Sequence, residues 1–278
     1  MEIEFTKAEL KEGATHLIEV IDAYTKVAEG MLQNVRLFKG DKDGNIPYQT
    51  HTIATILERL TINSIAIRIL LDDFTKTGYE PLTYPIGLLL RNCCSDMITV
   101  LYLNNLGGYE NLTFEQIEER VKYFLAEEVI KGIEIFKENP QEYKLFSNNL
   151  ANDYPMLLEL DANGILKNKH PKMDGVTFGT TGMIKKIPHF LKQYKHLDIL
   201  WKGYSQYEHL GGLTYALMHQ PFKTTIHDIS HALYNIILTM LYLAHNFGKT
   251  EFRQDEFIKK VQDCLQVYVK YFPPKAIA

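Results

Sequence analysis

Apolar residues recur at three- and four-residue intervals along almost the whole chain, and the strict alternation of a half-buried strand is scarce. This pattern predicts a first helix over 7–37, closed by the Gly- and Asp-rich turn "KGDKDGNIP". A second, over about 48–76, places Ile53, Ile56, Leu57, Leu60, Ile67, Leu71 and Phe74 on one stripe. "TGYEPLTYP" breaks it, and a third helix follows from Pro85 to "NNLGG". Thr113 and Gln116 stand at capping-box spacing at the head of a fourth. Pro140 opens a fifth, expected to end near Leu160. Residues 161–181 form the one long irregular stretch, and loops of such length inside a compact domain are usually functional or mobile. Its "GVTFGTTG" is no phosphate-binding loop, because no Lys-Ser or Lys-Thr pair follows at the required spacing. Helical spacing then resumes through "IPHFLKQYKHLDILWKGYSQYEHLGGLTYALMHQP", interrupted at Gly211 and Gly212, and the last two helices cover 224–247 and 254–271. With no internal repeat and no apolar-poor linker, the expected fold is all-α, a single-domain bundle of seven to nine helices over 1–278.

Composition changes this picture little. The 278 residues are 46% hydrophobic and 23% charged, ordinary values for a globular protein with a substantial core. An acidic first segment without a basic leader, no run of about eighteen consecutive apolar residues, and three cysteines together lead us to expect a reducing, cytoplasmic setting and no membrane partner. Charge is uneven, however. Eight lysines against three aspartates give 161–202 a net +5 in a chain whose overall charge is −4. That segment is a candidate contact for a nucleic-acid backbone or another anionic ligand, with Lys185 and Lys186 as candidate binding residues, although a solvated lysine-rich loop is the more ordinary explanation.

"TTIHDISHALYNIILTM" sets His227, Asp228 and His231 within five residues. Ile226, Ile229, Leu233, Ile236 and Met240 make one seam along this helix. His227, His231, Tyr234, Leu238 and Leu241 make a second, so the helix is expected to be central. Histidines four apart can share a divalent metal such as zinc, and the pair resembles the His-x-x-x-His helix of DinB-type metal-binding bundles, with His51 as a guessed third ligand. HExxH and paired Glu-x-x-His motifs are absent. Thr225 as N-cap would put Asp228 at N3, explaining this carboxylate without a metal, so no cofactor is expected in the first instance.

Arg91 lies on an otherwise apolar arc with Leu88, Cys94, Ser95, Ile98 and Tyr102. A guanidinium there needs a partner or a polar cavity. An ion pair to Asp72 or Asp73 is one expectation, and an anion or phosphate clamp is the other. "LLLRNCCSDMITVLYL", followed later by "YALMHQP", resembles uncharacterised bacterial helical proteins loosely related to HEPN domains, whose members with an intact Arg-x(4–6)-His motif are often metal-independent ribonucleases. The resemblance implies Arg91 as a phosphate-holding residue and His219 as general acid/base, with His209 as a second candidate. No histidine stands four to six residues after Arg91, so the ribonuclease motif itself is missing. Tyr204 and Ser205 in "YSQYEHLGG" are candidate lining residues of a pocket or interface. The sequence therefore leaves three readings: a HEPN-like nucleic-acid-associated protein, a metal-binding bundle using His227 and His231, and a non-catalytic, homo-oligomeric interaction module.

Overall fold

Long helices with one wide apolar stripe bury it only against one another, and the computed structural model shows this arrangement. It describes residues 6–37, 48–79, 82–106, 112–187, 196–205, 222–247 and 254–272. Nine α-helices occur among them: α1 (Lys7–Leu37), α2 (Tyr48–Thr77), α3 (Thr83–Asn104), α4 (Phe114–Ile133), α5 (Pro140–Asp153), α6 (Thr180–Lys186), α7 (His196–Ser205), α8 (Phe222–Phe247) and α9 (Gln254–Tyr271). A 3-10 turn at Glu134–Phe136 and one antiparallel pair of short strands, β1 (Leu158–Leu160) and β2 (Leu166–Asn168), complete the described structure. The expectation of an all-α bundle holds.

α1 and α2 run antiparallel, with Lys7 against Gly78 at one end and Arg68 bound to Asp22 at 2.5 Å further along. α2 and α3 are antiparallel too, since Gln49 donates to the Leu103 carbonyl and Arg59 binds Asp96. α3 then meets α6, α7 and α8, while α9 closes against α1 and α8. Leu17, Ile21, Tyr24, Ile53, Leu60, Phe74, Met97, Ile98 and Phe222 are fully buried where these helices meet, and the Phe74 and Phe222 rings stack at 3.8 Å. Over Tyr84–Leu103 α3 is long and apolar enough to cross a membrane, yet 67% of that window is buried inside the bundle. A core helix contacted on several sides needs that composition.

A smaller cluster of Ala126, Ile133, Leu157, Leu158 and Leu166 joins α4 to α5 and the hairpin. Here the sequence expectation needs correction. The fifth helix ends at Asp153, seven residues before Leu160, because Pro155 disfavours helical backbone at Tyr154, which sits at φ −125°, ψ 55°. The chain leaves as β1, in the span expected to be helical, and returns as β2 within the stretch expected to be irregular. Asp161 builds the turn by accepting from the Asn163 and Ile165 amides, and Gly164 takes φ 73°. His170 fastens the hairpin to α4, with Nδ1 2.9 Å from Glu119 and Nε2 3.0 Å from the Met156 carbonyl. The Thr113–Gln116 capping box forms as expected, with both reciprocal bonds present.

Candidate functional site

Between α2 and α3 the bundle surface opens into a polar cleft of about 360 Å³, lined by Arg59, Asn63, Arg91, Asn92, Ser95 and Asp96. Helix geometry assembles it. Arg59 and Asn63 lie one turn apart on α2, Arg91 and Ser95 one turn apart on α3, and the antiparallel crossing brings the two pairs face to face. Two arginines and two asparagines thus line one small volume, and among the described lining residues Asp96 carries the one carboxylate.

That carboxylate is tied down. Asp96 is 1% exposed and takes both oxygens to Arg59, one through Nε at 3.2 Å and one through the terminal nitrogen. Burial pushes the Asp96 pKa up and the Arg59 guanidinium opposes the push, while the bond to Asp96 raises the pKa of Arg59 further. Arg59 itself keeps 65% of its side chain exposed.

Arg91 is held from the other side. Its Nε donates to Ser205 Oγ at 3.1 Å, Ser205 donates in turn to the Trp201 carbonyl, and the guanidinium carbon lies 6.0 Å from the Trp201 ring. Of the two partners expected for an ion pair, Asp72 or Asp73, Asp72 instead binds Lys76 at 2.6 Å. Ser205, singled out from sequence, therefore orients the arginine singled out from sequence.

Tyr204, its neighbour, is buried and donates to Asp228 at 2.5 Å. This corrects the reading of Asp228 as a helix cap. α8 already runs at Phe222, so Asp228 lies in the second turn and anchors α7 to α8. His227 is 77% exposed and His231 half-buried, with rings 6.1 Å apart and 15° from parallel. The second stripe of α8 is thus its less buried side, whereas Ile229, Leu233, Ile236 and Met240 fill the core. Desolvation, then His227, lowers the His231 pKa, and Asp228 acts against them. Among the described residues no group of three or more His, Cys, Asp or Glu side chains stands ready to hold a metal ion. His51, guessed as a third ligand, is exposed on α2, in a cavity whose lining includes neither His227 nor His231.

The basic segment is less available than its charge implies. Lys167 binds Glu159, Lys202 binds Asp198, and Lys169 donates to the Pro155 carbonyl. Lys185 and Lys186 are exposed in the last turn of α6, outside the cleft lining. His209 and His219 lie outside the described residues. Sequence reasoning missed Arg59, Asn63 and Asn92. The same argument that marked Arg91, a charge inside an apolar helical run, applies to Arg59 in "TIATILERLTINS".

No protein-family model, curated protein or solved structure matches this chain.

Proposed function

We propose that the chain binds a phosphate-type anion in the α2–α3 cleft, as the nucleic-acid-associated module that its resemblance to HEPN domains implies. One observation carries the reading: the guanidinium groups of Arg59 and Arg91 line the same cleft with the carboxamides of Asn63 and Asn92. Asp96, the one carboxylate among the described lining residues, already has both oxygens on Arg59. Guanidinium and carboxamide groups are the donor types that phosphate oxygens require. A volume of about 360 Å³ suits a group of that size with room for its attachment.

Isothermal titration calorimetry with inorganic phosphate at low ionic strength tests this. Binding is expected in the wild type and a loss of roughly tenfold to a hundredfold in Arg91→Gln, the range that one charge-assisted hydrogen-bond set supplies. Equal phosphate affinity in the two proteins would overturn the assignment. Titrating a mononucleotide and a short single-stranded RNA in parallel tells which molecule brings the phosphate.

A further inference from the structure

His170 stands between two groups that accept hydrogen bonds. Its Nδ1 lies 2.9 Å from Glu119 Oε2, and its Nε2 lies 3.0 Å from the Met156 carbonyl oxygen. A carbonyl oxygen has no proton to give, so Nε2 is the donor there. An ionised carboxylate has none to give either. The other oxygen of Glu119 takes the Lys122 ammonium at 2.7 Å, and Lys122, against partial burial and assisted by His170, holds this carboxyl below the usual carboxylate range. Both ring nitrogens therefore need a hydrogen, and an imidazole has two only when it carries the extra proton. The neutral ring makes one of the two bonds and turns a lone pair towards the other oxygen, at a side chain that is 11% exposed.

These bonds hold one wall of a cavity. Met156 lies between Tyr154 and Leu157, and both line a space of about 480 Å³ that shares Arg59 and Ser95 with the anion cleft. Three other bonds in this corner are made without the ring. Asn168 donates to the Tyr123 carbonyl and to Glu127, and Lys169 Nζ donates to the Pro155 carbonyl. Losing the ring proton thus loosens the wall and leaves the hairpin attached. Around the ring, α4 presents Glu119, Lys122 and Glu127, with Glu115 and Arg120 in the crevice beside Glu119. Arg120 is turned to the Leu106 carbonyl. On the chain beside the ring, Lys169 faces Pro155 and Lys172 is exposed. The α5–β1 turn meets the ring through a backbone carbonyl, with Asp153 exposed three residues earlier.

We propose that His170 is a proton-operated latch: it ties the 154–157 wall of this cavity to α4 while its ring carries both protons, and releases one of the two ties when the ring loses one. The tie is complete at low pH and weakens as pH rises through the range in which imidazoles titrate, with Glu119 charged throughout.

The test is native-state hydrogen exchange of the full chain at about pH 5.5 and about pH 8.5, corrected for the intrinsic pH dependence of exchange. Protection is read at the amides of 157–169 and compared with that of buried α3. In the wild type, hairpin protection is expected to be roughly tenfold lower at the higher pH, the worth of one charge-assisted bond, while α3 is unchanged. His170→Ala is expected to show the lower value at both pH values. Glu119→Gln separates a latch from a merely structural contact. Its carboxamide donates to the neutral ring while Nε2 still donates to Met156, so protection at the higher pH is expected to stay near the wild-type value at the lower. Hairpin protection equal at the two pH values in the wild type would overturn the proposal. So would a pH dependence that survives in His170→Ala, or a fall in Glu119→Gln as large as that of the wild type.

Discussion

Replacing Arg59 with alanine leaves the Asp96 carboxylate, 1% exposed, without the guanidinium that binds both its oxygens. Removing one partner of a fully buried pair costs about 3–5 kcal/mol, but Arg59 is 65% exposed and water can enter where it stood. A cost of about 1–3 kcal/mol at neutral pH is therefore expected. The pH dependence follows from the direction of the Asp96 shift. Its folded pKa lies above the ordinary carboxylate value of 3.8, because burial outweighs Arg59. At this group the folded state then binds more protons than the unfolded state, so the contribution of Asp96 to stability is greatest below 3.8 and falls as pH rises through the folded value. Removing Arg59 strips away the opposing influence and widens that window upward. Urea denaturation of wild type, Arg59→Ala and Arg59→Ala/Asp96→Asn measures this directly. The single variant is expected to fall further below wild type as pH rises from about 4 to 7, and the double variant to recover most of the loss by removing the charge. A single variant equal to wild type across that range would refute the picture of a buried, arginine-held carboxylate.

Three further outcomes are expected. Thr113→Ala removes the hydroxyl that accepts from the Gln116 amide and should cost about 1 kcal/mol, measured as a lower urea midpoint. His170→Ala removes the bonds to Glu119 and to the Met156 carbonyl together, and hydrogen exchange over 157–169 should accelerate while exchange in the buried part of α3 stays slow. Burial raises Cys93 well above the usual thiol value and pushes Cys94 and Cys264 up to about 12. All three thiols should therefore resist a disulfide-exchange reagent in the native protein near pH 8 and react only on unfolding.

The helices were legible because their apolar spacing is sustained over many turns, and the start of α4 because its cap is written in Thr113 and Gln116. The hairpin was not, because three-residue strands such as "LEL" and "LKN" are too short to display alternation. Arg91 was legible as a charge out of place, and Ser205 as a polar residue in "YSQYEHLGG". Their meeting was not, because 114 positions separate them and only the packing of α7 on α3 brings them to 3.1 Å. Asp228 misled for a related reason. Its spacing from Thr225 matches a cap, but the helix begins earlier and its carboxylate answers Tyr204 on another helix. Asn63 and Asn92 carry no signal of their own. They become a pair only when α2 and α3 cross.

The central claim is that phosphate oxygens occupy the cleft beside Arg91. The most direct measurement is the resonance of the Arg91 Nε–H group, which donates to Ser205, followed by NMR during a phosphate titration and assigned through Arg91→Lys. The account predicts a saturable shift of this resonance and of Arg59 Nε–H at one shared affinity. Phosphate binding that leaves both resonances unmoved would contradict it.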